Sequence, residues 1–141
     1  MKSPFTVSIV IALAALISSD AVPRAAFAAP AAEDVQVINV AAKKYEFDPA
    51  TIHVKQGTKV QLKITSTDHA HGMKIQDFPE GDKTMKAGLV FSSGNDCAKA
   101  AEGQTTTVEF VAQTSGTYPF RCCVHCGWHH RAMKGEVVVD P

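Results

Sequence analysis

The chain has 141 residues with 14 basic and 14 acidic side chains, so its formal net charge at pH 7 is zero. That balance gives no electrostatic case for nucleic acid or an anionic membrane surface. The length suits one domain with one core, and no stretch is long and apolar enough to span a bilayer.

Lys2 supplies a positive start, Val7 to Ile17 is an apolar run broken by Ser8, and Ala26-Phe27-Ala28 is an A-x-A cleavage signal. Together they predict a secretory signal peptide over residues 1–28 and a mature domain over 29–141. The mature chain is then expected to be soluble, with no membrane span, in the periplasm or otherwise exported. An oxidising compartment permits disulfides.

Val35 to Val40 is rich in β-branched residues and reads as a strand, which Lys43 to Phe47 continues. Asp48-Pro49 turns the chain. Thr51 to Lys55 alternates, Gln56-Gly57 is a tight turn, and Lys59 to Thr65 places Val60, Leu62 and Ile64 on one face. That is the pattern of a half-buried antiparallel strand. His53 alternates within its strand and reads as structural. Thr67 to Gly72 is a polar loop carrying His69 and His71, and Gly72 to Gln76 is a short strand.

From Asp77 to Gly103 the pattern is weak, with Pro79, Gly81, Gly88, Gly94 and Gly103 as breakers. A connection this long is uncommon in a small domain and is often functional. Cys97 to Glu102 reads as one helical turn. Gln104 to Ala112 is a strand, Gly116 to Cys122 leads into a cysteine-rich stretch, and Gly135 to Val139 is the last strand. Short strands at regular spacing with many turn residues predict an all-β sandwich or barrel.

The stretch Cys122 to Met133 holds three of the four cysteines, three of the six histidines and one of the four methionines. Thiolate, imidazole and thioether are the ligands of soft and borderline metals, copper above all. Such density has no evident use in a hydrophobic core. Cys122, His125, Cys126, His130 and Met133 can wrap one metal site, and a ligand from outside the loop would fix it to the sheet. His71 is the first candidate and His69 its competitor. Structural zinc favours paired elements on two knuckles, whereas one loop is rich here and Met133 is a poor zinc ligand. His129 and Trp128 read as exposed neighbours, and Met73 and Met85 as packing residues.

At these residues the chain resembles the cupredoxins. Gly116-Thr-Tyr-Pro-Phe-Arg-Cys122 is similar to the strand that delivers their copper cysteine. Phe47-Asp48-Pro49 with Ile52-x-Val54-x2-Gly57-x2-Val60 resembles their second and third strands. The resemblance implies a Greek-key β-sandwich or barrel with a long loop before about the sixth strand.

Two subfamilies fit the loop. The dinuclear CuA domains of cytochrome c oxidase subunit II and nitrous oxide reductase carry C-x3-C-x3-H-x2-M with an upstream D-x2-H-S. Cys122, Cys126, His130 and Met133 match the first motif, and Asp68-x2-His71-Gly72 matches the second with Gly for Ser. This implies two bridging thiolates, His71 and His130 as terminal ligands, Met133 as a weak ligand and the backbone carbonyl of Val124. Plastocyanin-like mononuclear sites instead match Cys122, His125 and His130, with His at the axial place. A red-copper site of the nitrosocyanin kind also has the Cys-x2-His-x4-His loop, but carries Glu where this chain has His71. The dinuclear set explains Cys126 and Met133 together and is favoured.

With Cys122 and Cys126 given to copper, the even count leaves Cys97 and Cys123 as a disulfide pair. The alternatives are Cys123 as an extra sulfur ligand or a free thiol at Cys97. The function implied is one-electron transfer with a redox protein partner. Copper tolerance or delivery with a trafficking partner is the alternative. Beyond the ligands and His69 the loops offer no general acid or base, so an enzyme ranks last.

Overall fold

The computed structural model describes residues 34–141. The expected signal peptide and the first residues of the expected mature domain lie outside that range. Ten strands follow in order: β1 (Val35–Lys43), β2 (Glu46–Asp48), β3 (Thr51–Lys55), β4 (Lys59–Ser66), β5 (His71–Ile75), β6 (Leu89–Phe91), β7 (Ala98–Ala100), β8 (Thr105–Ala112), β9 (Gly116–Cys122) and β10 (Lys134–Asp140). A single 3-10 turn, His130–Ala132, lies between β9 and β10. Among the described residues no helix is long and apolar enough to cross a membrane.

The strands form two five-stranded sheets, in the orders β2-β1-β4-β8-β6 and β3-β10-β9-β5-β7. β1 runs parallel to β4, and β3 parallel to β10, while the remaining pairs are antiparallel. Parallel neighbours cannot be joined by a hairpin, so the chain crosses between sheets at these points. Three of the four edge strands are three residues long, which limits the unpaired backbone they present.

Side-chain alternation fills the space between the sheets. Val60, Leu62 and Ile64 of β4 face Tyr118 and Phe120 of β9, Ile75 of β5 and Val137 and Val139 of β10 in one buried cluster. Phe47 meets Phe120 edge-on, with ring centres 5.2 Å apart. The Tyr118 hydroxyl donates to the Thr114 carbonyl at 2.6 Å and ties the β8–β9 connection to the core. Gly88 packs against that tyrosine and has no room for a Cβ.

Two details depart from the sequence expectation. The first strand does not run through to Phe47; a two-residue turn after Lys43 starts β2, which pairs back antiparallel. Residues 97–102 are not a helical turn. Ala98 to Ala100 pair with β5 as an edge strand, and Ala100 is buried. Alanine's helix preference amounts to tenths of a kcal/mol per residue and yields to the hydrogen bonds of an open sheet edge. The long connection from Asp77 is thereby divided by β6 and β7.

Candidate metal centre

β5 and β9 are antiparallel neighbours with Met73 opposite Cys122. The same pairing continues with the Cys123 amide donating to the Gly72 carbonyl at 3.2 Å, which places His71 beside the start of the loop. The loop leaves β9 at Cys122 and returns at Met133. The Cys122 amide donates to the Met133 carbonyl at 2.9 Å, so the loop is closed at its base. Inside it, the 3-10 turn is held by His130 N–H on the Gly127 carbonyl, 3.1 Å, and Met133 N–H on the His130 carbonyl, 3.2 Å.

This closure gathers the sulfurs. Cys122, Cys126 and Met133 are all buried. Cys122 Sγ lies 3.6 Å from Cys126 Sγ and 3.2 Å from the Val124 carbonyl oxygen. Cys126 Sγ lies 3.5 Å from His130 Nδ1 and 3.9 Å from Met133 Sδ. Among the described residues two groups have ligand atoms within 4.8 Å of one another: Cys122, Cys126 and His130, and His69, His71 and Cys126. Cys126 belongs to both. Burial, and next the Cys122 thiol beside it, push the Cys126 thiol up to about 11. A metal must therefore displace a tightly held proton there.

His71 is fully buried. Its Nε2 sits 2.7 Å from Asp68 Oδ1, while its Nδ1 is buried with no hydrogen-bond partner. Burial alone would raise the Asp68 carboxyl. The Lys44 amide and the two imidazoles outweigh it and hold the group well below the usual carboxylate range. An ionised carboxylate only accepts, so Nε2 of His71 donates to it, and Nδ1 is the nitrogen that the neutral ring would offer to a metal. That is the arrangement in which a carboxylate orients a metal-binding imidazole. His69 Nδ1 meets the same Asp68 oxygen at 2.8 Å, and its Nε2 meets the Cys126 carbonyl at 3.0 Å.

The structure therefore brings together His71, Cys122, Cys126, His130, Met133 and the Val124 carbonyl. It does not bring in His125, which is exposed, with its ring centre 5.7 Å from that of His130. Trp128 is almost fully exposed, and His129 is exposed with its ring tilted against Tyr45. Met73 is buried in the core, whereas Met85 is exposed. His53 is exposed and pairs with Asp140 at 3.2 Å. Cys97 and Cys123 form a disulfide, and Cys122 and Cys126 are free thiols.

Sequence reading gave Asp68 and His69 no positioning role. The signal available was a carboxylate three residues before a candidate ligand. It also left Gly72 unexplained. A Cβ there would lie 2.9 Å from each disulfide sulfur and from Val124 Cγ2, so the disulfide occupies the space a serine would need.

Comparison with known proteins agrees with this fold. Over 102 residues the chain is 28% identical to cytochrome c oxidase subunit 2 of Thermus thermophilus, covering 72% of this chain and 64% of that protein. The chain thus spans less than two thirds of that relative's length. Auracyanin A, a blue copper protein from the green thermophilic photosynthetic bacterium Chloroflexus aurantiacus, shares the fold. Its TM-score is 0.56 at 20% identity, over 75% of this chain and 99% of that one. A chain of a heme-copper terminal oxidase dimer superposes with TM-score 0.54 at 22% identity, over 74% of this chain and 65% of that one. The model of the cupredoxin-like domain matches residues 7–139, and the chain belongs to that family.

Proposed function

We propose that this protein is an exported one-electron carrier whose centre is two copper ions held between Cys122 and Cys126. The observation that carries this reading is the buried sulfur pair, 3.6 Å apart, with further donors gathered at Cys126. His130 Nδ1 and Met133 Sδ lie 3.5 and 3.9 Å from Cys126 Sγ, and His71, with its unpartnered Nδ1, belongs to a second donor group that shares this cysteine. Two thiols, two imidazoles and a thioether are the donor set that copper prefers. Similarity to an oxidase subunit 2 supports the same reading.

In this reading Cys122, Cys126, His71 and His130 would hold the copper, with Met133 Sδ and the Val124 carbonyl as weaker ligands. Bound copper would supply a Cu(I)/Cu(II) couple. The chain's own work is to keep the donors still. Asp68 fixes the His71 ring, the β9–β10 closure fixes Cys122 and Met133, and burial keeps water from the sulfurs. Donors held this way need little rearrangement when the charge changes. Among the described residues beside the donor set, His69 and Asp68 are the groups that could move a proton, and both are already held by hydrogen bonds, so carrier ranks above enzyme. A mononuclear site using His125 would need the loop to turn that exposed ring inward.

Metal analysis with optical and EPR spectra of the copper-loaded protein tests this. Two coppers per chain and a seven-line mixed-valence signal are expected. One copper with a four-line signal rejects the pair. Slow redox cycling with ready copper loss to a chelator would favour copper delivery over electron transfer.

A further inference from the structure

On the outer face of the second sheet, three cations stand in one row. Lys74 is opposite Arg121 across β5 and β9, and Arg121 is opposite Lys134 across β9 and β10. All three are exposed. Like charges directly opposite each other destabilise a sheet. Among the described residues, none of the three has an ion pair to relieve this. The chain as a whole is neutral, so this is a local concentration of charge and not a general excess.

The row borders the metal loop. Arg121 precedes Cys122, and Lys134 follows Met133. Lys74, Arg121 and Arg131 line one open cavity with His125, Trp128 and His130, and no carboxylate lines it. His130 links this cavity to the centre, because its Nδ1 is 3.5 Å from Cys126 Sγ. Trp128 is 99% exposed on the cavity wall, with no apolar neighbour covering it. Asp77 is the carboxylate that lines the adjoining cavity, which Lys74, Arg121 and Lys134 share.

We infer that this face is the docking surface for an acidic partner protein that exchanges electrons with the centre behind His130. The inference rests on the copper reading above. An exposed aromatic within a rim of cations has the anatomy of a protein interface core and its polar border. Neighbouring strands are about 4.8 Å apart, so the row extends roughly 10 Å and is too wide for a single small anion. A membrane needs an apolar face, and of the five exposed large apolar side chains among the described residues only Trp128 lines this cavity. In the exchange, the partner's reduced one-electron carrier loses one electron and the centre gains it. No bond is made or broken and no proton moves.

The test titrates the full chain, copper-loaded and reduced, with a short poly-L-glutamate as the acidic probe. Amide and Trp128 indole shifts are read by NMR. Inorganic phosphate and phosphatidylglycerol vesicles are the parallel arms. Saturable shifts confined to Lys74, Arg121, Trp128, Lys134 and their neighbours are expected. Binding should weaken about tenfold or more when the row is reversed by Lys74→Glu, Arg121→Glu and Lys134→Glu. It should persist when the same charge change is made elsewhere by Lys55→Glu, Lys63→Glu and Lys83→Glu. Glutamine at the three row positions gives a milder version should reversal disturb folding. Hexacyanoferrate(III), an anionic oxidant, should react faster with the parent as salt falls and slower with the reversed row.

Equal weakening by both triple variants, or shifts mapping elsewhere, would overturn the proposal. So would phosphate or the vesicles binding the row as tightly as the acidic chain. If the protein takes up no copper, the copper reading fails by itself, and the titration can still be read on the metal-free chain. If copper loads with the expected spectra and the titration is flat, the docking surface alone is wrong.

Discussion

A Cβ built on Gly72 would meet both sulfurs of the Cys97–Cys123 disulfide and a methyl of Val124, each at 2.9 Å. Gly72→Ser should therefore destabilise the protein by about 1–3 kcal/mol through overpacking. Urea unfolding midpoints check this, and the loss should shrink when Cys97 and Cys123 are both alanine. The same cost in both backgrounds would mean that the disulfide is not what excludes a side chain. At the centre, Cys126→Ser removes the sulfur shared by the two donor groups. We expect that variant to lose copper pairing and keep a mononuclear centre on Cys122, His71 and either His125 or His130, seen as a change from a seven-line to a four-line EPR signal. Parent-like spectra would show that Cys126 is not a ligand. Cys126 was legible because a motif fixes its type and offset. Asp68 stood in a motif too, but its role was not legible, since a carboxylate in a polar loop has many uses. Only the 2.7 Å contact to a buried His71 selects one.

At the scale of elements, the loop between β9 and β10 is anchored at three places. The Cys122–Met133 backbone bond closes its base, the 3-10 turn stiffens its far side, and the disulfide ties Cys123 to the segment before β7. The disulfide closes a loop with a sequence separation of 26. Replacing both cysteines by alanine should cost about 2–4 kcal/mol, largely through the unfolded chain. Denaturant unfolding of the parent with and without reductant, beside the double variant, measures it. No loss on removing the bond would mean that the β5–β7 pairing holds the segment unaided. The strong alternation of β3, β4 and β8 was plain in the sequence, to within a residue or two at their ends. β7 was not, because Ala-Lys-Ala carries no β pattern of its own. It becomes a strand only because β5 offers an edge to pair with.

At the scale of the whole molecule, one core binds the two sheets, and Tyr118 stands inside it. Burial, and next the Asp82 charge, raise its hydroxyl above the usual 10.0. The folded state then keeps a proton that the unfolded chain releases, so the tyrosine's contribution is fully present below about pH 10 and is lost as pH rises through the folded value. Thermal unfolding from about pH 8 to about pH 11 should show this loss, and Tyr118→Phe should flatten it. At neutral pH the same substitution should cost about 0.5–1.5 kcal/mol for the bond to the Thr114 carbonyl. A pH profile unchanged by the substitution would place the titrating group elsewhere.

The sequence by itself determined the all-β class and the chemical character of the centre. Alternating burial and soft-ligand spacing are local properties that survive in a one-dimensional reading. Tertiary structure alone decided which of the candidate side chains face one another. The β5–β9 register brings His71 to the loop, and the closure at Met133 turns Cys126 inward and leaves His125 outside. Spacing along a loop states which side chains are available. Which of them face one another depends on pairings between strands far apart in the chain. The loop from Cys122 to Met133 comes to lie beside His71 only because the second sheet sets β5 next to β9.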